Sequence, residues 1–350
     1  ETPSKITKHL SMKDHLISRG VSSRMLSMAN AGYANTCGSS LDKLSYNYSC
    51  AAEKYWIADD DEGDYRPQKS FKQLLNILVD PQGLWHQSNP LKKRHGIIEE
   101  PLQIRTSTAV SDIYWNEPDH MIRLVTNKGH TIKATCVVVT VPLPILKDHL
   151  NFNPPLPQTK QYAANNLGIG IAAKLLIRLK CRGNIPDKLQ GMICSDCFIP
   201  EIWFRDTPNG DVLVTCFLMD DFARRASAFG EAESINLALR QLDEMFPGKT
   251  MISTYFIQGL LHNWADVPYI RMGYTFCPVG HDESLFRELA KPLPNGQVMF
   301  AGEAYVSSGA NMTIHSALDA GSRAAEETVK CLERKGLLNP RVLPPLKPRL

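Results

Sequence analysis

The stretch that decides the fold runs from Phe300 to Ala325 and reads FAGEAYVSSGANMTIHSALDAGSRAA. The apolar residues Val298–Ala301 predict a strand, because a short apolar run bounded by turn residues is typical of a buried strand. A loop follows through Gly302 and Glu303, and a helix is predicted from Thr313 to about residue 333. A helix N-terminus offers unpaired N–H groups and partial positive charge, which suit an anionic group. By itself, however, strand-loop-helix is also the ordinary unit of α/β proteins.

Upstream of this unit, strand patterns alternate with helix patterns, which predicts a second core. The helix patterns lie at 22–30, 70–79, 158–166 and 231–246. Apolar residues alternate at Leu102, Ile104 and Thr106. Further strands are predicted at 110–115, 122–125, 131–141, 172–179, 201–205, 212–218 and 253–258. The predicted fold class is therefore α/β with mixed α+β character, in which helices flank a mixed sheet.

Composition excludes several classes of protein. The 350 residues are 43% hydrophobic and 21% charged, which is ordinary for a globular chain with room for two domains. The net charge is only +3, from 39 basic and 36 acidic residues, so no nucleic-acid partner is indicated. No apolar run approaches the roughly 20 residues that span a bilayer. The chain begins at Glu1 rather than at methionine, and we expect it to be a piece of something longer.

The nine cysteines form no regular framework. Cys194 and Cys197 make a CxxC, but no second CxxC or histidine pair stands at zinc spacing, so no metal site is predicted. Unpaired cysteines are typical of a reducing compartment, and we expect an intracellular protein of the cytoplasm. The sequence predicts no oligomeric state.

Five segments in order resemble the flavin-containing amine oxidases, the family of monoamine oxidases, polyamine oxidases and lysine-specific histone demethylases. The Phe300–Ala325 stretch is similar to that family's C-terminal flavin-binding signature. The other segments are RMLSMANAGYANTCGSSLDKLS (24–45), VVVTVPLPILK with NFNPPLP (137–157), LGIGIAAKLLIRL (167–179) and NWADVPYIRMGYTFCPVG (263–280). The resemblance implies a partial FAD-binding Rossmann-like domain and a substrate domain.

The resemblance also implies residues that bind the cofactor. Glu303, preceded by Gly302, matches the acid that hydrogen-bonds the ribityl and pyrophosphate region. Thr313 and Ile314 match the pair whose backbone meets the flavin pyrimidine edge, and Val110 matches the residue whose backbone holds the adenine. An alternative reading of Glu303 is a loop acid that interacts with the dipole of the following helix.

Four further residues match the active site of the family. Lys174 is similar to the lysine that reaches flavin N5 through a water. Trp264 and Tyr274 match aromatic positions close to the flavin face, and Tyr269 matches a third aromatic position nearby. We expect catalytic roles for Lys174, Trp264 and Tyr274, and substrate binding at Tyr269 and Tyr274. Without the resemblance, Lys174 reads as an exposed lysine on a strand, and the aromatic residues read as core.

The chain departs from the family at two places. It contains no GxGxxG segment. In the family, the glycines of that motif let the backbone approach the FAD pyrophosphate. Gly273 stands where monoamine oxidases carry the cysteine that bonds covalently to flavin, so any FAD here is expected to be non-covalent.

The resemblance implies an FAD-dependent amine oxidase. In that reaction a hydride passes from an amine C–H to flavin N5, giving an imine and, with O2, hydrogen peroxide. The sequence WADVPYIRMGY (264–274) resembles the polyamine oxidase branch and favours a polyamine-type substrate. The absent GxGxxG leaves an alternative, a non-catalytic binding or regulatory relic. The expected domains are a helical part of the substrate domain (1–79), an FAD-binding segment (80–150), a substrate-binding region (151–285), a C-terminal FAD-binding segment (286–335) and a tail (336–350).

Overall fold

The computed structural model describes residues 10–58, 70–72, 104–306 and 311–338. The helix that begins at Ser23 is capped, since the Ser22 side chain accepts a hydrogen bond from the Met25 N–H at 3.4 Å. A π-helical turn, Asn30–Ala34, follows the second helix. In this part of the chain the helices are α1 Met12–Ser18, α2 Ser23–Ala29, α3 Tyr46–Ala58, α4 Leu143–Asp148, α5 Gln158–Asn166, α6 Asp221–Met245, α7 Ser284–Ala290 and α8 Ile314–Arg334.

The strands of the described residues form four sheets. Three neighbours pair antiparallel in the order β3-β2-β1, β5 joins β1 in parallel, and β6 pairs with β12. The strands are β1 Val110–Tyr114, β2 Ile122–Thr126, β3 Thr131–Ala134, β4 Val137–Val139, β5 Asn151–Asn153, β6 Gly168–Ile169, β7 Ala172–Leu179, β8 Gly191–Ile193, β9 Glu201–Asp206, β10 Val212–Met219, β11 Phe256–Asn263, β12 Thr275–Phe276 and β13 Val298–Phe300.

The largest sheet is antiparallel, with strand order β11-β7-β10-β9-β8. Alternate residues of its strands point to one face and form a buried core with α6, because side chains of a strand alternate between faces. Residues of this core include Leu175, Ile177, Phe204 and Val214. The intervening residues lie on the opposite face, which carries Lys174 and Phe217 and is called the open face below.

A second core joins segments that lie far apart in the sequence. Strand β4 pairs in parallel with β13, so Val137 lies opposite Val298. The buried side chains of Val139 and Phe300 belong to a core that also includes residues of α4, α5 and α7. The side chain of Val138 on β4 is 40% exposed, whereas Met299 beside it on β13 is buried against α8, so within the described residues this face of the sheet is covered at β13 and exposed at β4.

A buried lysine ties α5 to α7. The Lys160 ammonium donates hydrogen bonds to the backbone carbonyls of Glu288, Leu289 and Lys291 at 2.7–2.8 Å, and lies 4.2 Å from the centre of the Phe300 ring. Burial lowers the pKa of Lys160 to about 7. These carbonyls lie at the end of α7, where a helix leaves acceptors unpaired.

The α/β fold predicted from the sequence is confirmed, with differences in detail. The predicted helix 231–246 is the second part of α6, because Gly230 has a left-handed φ of +78° where two helices meet. The run 131–141 is divided between two sheets, and the strand expected at 253–258 begins only at Phe256. Of the alternating residues before β1, Ile104 and Thr106 lie outside any strand. Leu102 and residues 73–79 of the predicted helix lie outside the described residues.

Candidate functional site

Glu303 stands at the end of β13, where the sequence predicted a cofactor-binding acid. Gly302 before it has a φ of +120°, a conformation that glycine adopts without strain. One carboxylate oxygen of Glu303, Oε1, accepts hydrogen bonds from the Thr275 N–H at 2.9 Å, the Thr275 hydroxyl at 2.7 Å and the Met312 N–H at 3.1 Å. Burial raises the pKa of Glu303 to about 7 and outweighs these donors, which lower it.

Asn311 binds Thr275, the hydrogen-bond partner of Glu303. Its side-chain amide donates to the Thr275 carbonyl at 2.5 Å and its oxygen accepts from the Tyr48 hydroxyl, and Asn311 itself is fully buried. Sequence reasoning assigned Asn311 no role. An Asn in a glycine-containing loop is also a common turn residue, so its pattern carries no distinguishing signal.

The N-terminus of α8 lies close by in the chain. The Thr313 side chain caps this helix by accepting from the Ser316 N–H at 3.3 Å. The side chain of Ile314, the first helical residue, is 57% exposed. The N-terminus of α8 therefore lies next to Glu303, whose Oε1 accepts from the Met312 N–H.

Val110 lines an apolar cavity of about 680 Å³ between β1, β2 and β4. The volume is in the range of cofactor and ligand pockets. Tyr269, for which substrate binding was predicted, lines the same cavity and has a φ of +65°. The structure thus brings Tyr269 to Val110, on the side of the molecule where the adenine was expected. Other lining residues include Ile113, Leu124, Val137, Val139 and Val141.

Lys174 lies on the open face of the large sheet, in a row of four side chains that cross neighbouring strands. Phe217 on β10 and His262 on β11 are its two cross-strand partners, and Glu201 on β9 is the partner of Phe217. The Lys174 ammonium lies 5.8 Å from the centre of the Phe217 ring and 5.9 Å from that of Trp264. These distances are within the range of cation–π attraction.

Trp264 follows directly after β11 and completes this corner of the site. Its ring meets the imidazole of His262 edge to face, with 4.5 Å between the ring centres. Asn263 supports the turn, because its side chain accepts from the Ala265 N–H at 3.0 Å. The predicted pair Lys174 and Trp264 is therefore brought together by adjacent strands.

Tyr274 precedes Thr275, the hydrogen-bond partner of Glu303, and its side chain contacts the segment around Thr36. Its hydroxyl donates to the Thr36 carbonyl at 2.5 Å, and its ring lies so close to Gly38 that a β-carbon there would be 2.6 Å away. Burial raises the pKa of the Tyr274 phenol, and the carboxylates of Glu201 and Glu303 raise it further. The phenol therefore remains a hydrogen-bond donor at neutral pH.

Gly273 is held in a space that excludes a larger residue. A β-carbon at this position would lie 2.6 Å from the Ala172 β-carbon and 3.1 Å from the methyl group of Met219. Its N–H donates to the Gly170 carbonyl at 2.8 Å, which fixes the backbone. A cysteine here would require the neighbouring strand to move.

Glu201 and Asn35 are polar residues of this region that sequence reasoning missed. The Asn35 amide donates to Glu201 Oε2 at 3.1 Å, and its oxygen accepts from the Met219 N–H at 2.9 Å. Both side chains are buried. The only signal in the sequence is an acid at the first position of a predicted strand, and alternation alone does not say which face of a sheet it occupies.

No helix in the described ranges combines the length and apolarity needed to cross a membrane. Within those same ranges, no three His, Cys, Asp or Glu side chains come together as metal ligands.

Comparisons with known proteins bear on this arrangement. The family model for flavin containing amine oxidoreductase matches residues 10–329. Polyamine oxidase 2 of Arabidopsis thaliana is 26% identical over 269 residues, which are 73% of this chain and 53% of that protein. Lysine-specific histone demethylase 1 homolog 1 of Arabidopsis thaliana is 25% identical over 253 residues, 69% of this chain and 29% of that protein. The chain spans about half the length of the polyamine oxidases it matches.

The fold is similar to that of solved amine oxidases. The structure of wild-type putrescine oxidase bound to putrescine superposes with a TM-score of 0.74 at 14% identity, covering 94% of this chain and 70% of that one. At this identity the likeness concerns the fold alone.

Proposed function

Because this chain belongs to the flavin-containing amine oxidoreductase family, we propose that it serves FAD-dependent oxidation of an amine, with a polyamine-type substrate. One observation carries the proposal. A continuous path of contacts leads from Glu303, through Thr275 and Tyr274, to the segment at Thr36 that borders the Lys174 face. A cofactor-binding acid and a substrate-facing lysine would need such a connection. The domain boundaries expected from the sequence are part of this proposal.

The described residues fit part of an FAD site. The apolar cavity beside Val110 suits an adenine ring, and the α8 N-terminus at Thr313 and Ile314 suits a flavin edge that gains negative charge. Glu303 would hold the ribityl region, next to Gly302. The crowding around Gly273 supports non-covalent FAD. The phosphate-binding GxGxxG is absent from the 350 residues, so these residues would supply the remainder of the site.

When bound, FAD would accept a hydride from the carbon next to the amine nitrogen and would be reoxidised by O2, giving hydrogen peroxide. The part of this chain is to receive the amine in neutral form. An alkyl amine has a pKa near that of lysine, about 10.4, so its deprotonation near pH 7.4 costs about 4 kcal/mol. An aromatic wall lowers this penalty because it desolvates the cation.

Trp264 and Phe217 would form that wall, with the Lys174 ammonium close to both rings. Their rings attract an arriving ammonium through their faces, while the Lys174 charge repels it and favours loss of the proton. Tyr274 would close the pocket toward Glu303 as a neutral donor. Lys174 would also hold a water near the flavin and assist reoxidation by O2.

The experiment compares Lys174 on β7 with Lys180, which follows the end of that strand. The protein is expressed in its longest natural form, its flavin absorbance is recorded, and the flavin is reduced with a polyamine and then exposed to O2. We expect Lys174→Met to slow reoxidation about tenfold or more, whereas Lys180→Met, an exposed lysine just past the end of β7, leaves it unchanged. A protein that never shows a flavin band contradicts the proposal.

The absent GxGxxG favours one second candidate, a binding or regulatory protein without FAD. Titration of the 350-residue chain with FAD distinguishes the two. Stoichiometric binding would reject the second candidate, and failure of every natural form to bind FAD would favour it.

A further inference from the structure

The thiols of Cys136 and Cys331 meet where the last turns of α8 pack against the start of β4. The Cys136 thiol donates a hydrogen bond to Cys331 Sγ, with the two sulfur atoms 3.1 Å apart, and both cysteines are free. The residues are 195 positions apart in the sequence, so the fold and not the local chain brings them together. The amine oxidation proposed above uses neither of them.

The backbone on either side of Cys136 is held by one buried residue, Gln297. The Gln297 side-chain amide donates to the Thr135 carbonyl at 2.7 Å, and the Val137 N–H donates to the Gln297 carbonyl at 2.8 Å. Cys136 stands between these two hydrogen bonds, at the end of the connection from β3 to β4. Its thiol therefore has little freedom to move away from α8.

Helix α8 places Cys331 opposite Cys136. Ala320, Ala324 and Cys331 follow one another at spacings of four and seven residues, which puts them on one face of a helix. All three are buried, and Cys136 packs against the cluster that contains the two alanines. The end of α8 is also held, because the Lys335 ammonium donates to a backbone carbonyl in the turn between β1 and β2 at 3.1 Å. The fold thus presents the two thiols to each other from two anchored elements.

This arrangement suits formation of a bond between the sulfur atoms. Bonded sulfur atoms are about 2 Å apart, so a relative movement of about 1 Å completes the bond. Cys136 is partly exposed whereas Cys331 is buried, so a small oxidant reaches Cys136 first. Burial and the contact with Cys331 raise the pKa of the Cys136 thiol to about 12, although Lys335 and Arg334 lower it. Because the thiolate is the reacting form, we expect slow oxidation at neutral pH.

We propose that Cys136 and Cys331 form a reversible disulfide when the protein meets a peroxide, and that this bond fastens the end of α8 to β4. The Cys136 thiolate attacks one oxygen of hydrogen peroxide, the O–O bond breaks, and the hydroxide that leaves takes up the thiol proton to become water. The Cys331 sulfur then attacks the sulfenic sulfur of Cys136, and a second water leaves with the Cys331 proton. Each disulfide consumes one hydrogen peroxide, and two equivalents of a reducing thiol restore both cysteines.

The first measurement needs no variant. The protein in its longest natural form is treated with hydrogen peroxide, its remaining thiols are alkylated, and it is digested with trypsin without reduction. Cleavage releases ATCVVVTVPLPILK (134–147) and CLER (331–334), and we expect mass spectrometry to find these two peptides linked until dithiothreitol separates them. A bond from Cys136 to any other cysteine, or absence of the linked pair at every peroxide concentration, overturns the proposal.

The second measurement tests the order of the two steps. In Cys331→Ser, Cys136 should stop at the sulfenic acid, which dimedone traps, whereas wild-type protein should give about tenfold less adduct because Cys331 reacts first. Cys197→Ser is the matched control, since Cys197 is also partly exposed and its thiol donates to the Ser195 carbonyl instead. This control should form the disulfide as the wild type does. Equal dimedone labelling of Cys136 in wild type and Cys331→Ser would contradict the proposed role of Cys331.

The third measurement tests whether the bond fastens α8. A disulfide that closes a long loop restricts the unfolded chain strongly, so oxidised wild-type protein should unfold about 5–10 °C above the reduced protein. Cys136→Ser should show no such rise, which separates the bond from other effects of peroxide. An unfolding temperature that oxidation leaves unchanged or lowers would refute the fastening of α8.

The source of the oxidant separates this inference from the proposed function. Hydrogen peroxide would be a product of the amine oxidation proposed above, so turnover of a polyamine should form the same linked peptides, and catalase should prevent it. If added peroxide forms the bond but a polyamine with O2 does not, the proposed function fails and the inference stands. If added peroxide does not form the bond, the inference fails whatever the polyamine does.

Discussion

The large antiparallel sheet and the parallel pair β4–β13 differ in what completes them. In the large sheet every core strand comes from one continuous region, 172–263, and the core residues Leu175 and Val214 are fully buried. The parallel pair joins Val137–Val139 to Val298–Phe300, which lie on either side of that whole region in sequence. Within the described residues, the side chain of Val138 on β4 is 40% exposed, whereas Met299 beside it on β13 is buried against α8.

The large sheet and the parallel pair therefore differ in how much each depends on other parts of the chain. Antiparallel neighbours close their hydrogen bonds through short connections, whereas parallel strands need long crossovers and are normally covered on both faces. The large sheet therefore has its own core with α6, and the parallel pair depends on what packs against Val138. Three predictions test this comparison.

The largest expected effect concerns the core of the large sheet. Leu175→Ala should lower the free energy of unfolding by about 2–5 kcal/mol, because it leaves a cavity among fully buried neighbours. Leu176→Ala on the open face is the matched control and should cost less than half as much, since Leu176 is only partly buried. Urea denaturation measures both. Equal costs would mean that the open face is covered in solution.

The second prediction concerns Glu303, the acid that follows β13 of the parallel pair. The folded pKa of Glu303 is about 7, above its ordinary value of 4.5, so the folded state holds this proton more tightly than the unfolded state. The resulting stability is fully present below pH 4.5 and is lost as pH rises through 7, by up to about 3 kcal/mol.

Glu303→Gln isolates this contribution, since the amide oxygen still accepts from Thr275 and Met312 but does not ionise. Between pH 4.5 and 7, the wild-type protein should lose stability relative to this variant in denaturation series at fixed ionic strength. Parallel pH profiles of the two proteins would show that burial does not raise the pKa of Glu303.

Sequence reasoning predicted the local elements well where side chains alternate or cap. The strand Ala172–Leu179 alternates, apart from its first residue, and the helix 158–166 has both bounds as predicted. Ser22 caps α2, as expected for a hydroxyl side chain directly before a run of helix formers.

Contacts between distant segments could not be predicted in the same way. A run of valines is typical of a strand buried on both faces, but the side chain of Val138 is 40% exposed, because burial depends on which elements pack against the strand. The link from Asn35 to Glu201 joins residues on different elements, and single-residue patterns contain no information about such pairs. The placement of Tyr269 beside Val110 likewise depends on the turn after Trp264, where Tyr269 has a positive φ.

The smallest expected effect concerns the open side of the parallel pair. Val138→Thr keeps the shape of the side chain and adds a hydroxyl, so it should change the free energy of unfolding by less than about 0.5 kcal/mol at an exposed site. The same substitution at Val214 should cost about 1–3 kcal/mol, because the hydroxyl is buried among apolar residues of the large sheet. Because the two substitutions are chemically identical, their difference in urea denaturation reports burial alone. If Val138→Thr costs as much as Val214→Thr, another part of the chain or a second molecule covers β4 in solution, and the contrast between the two sheets disappears.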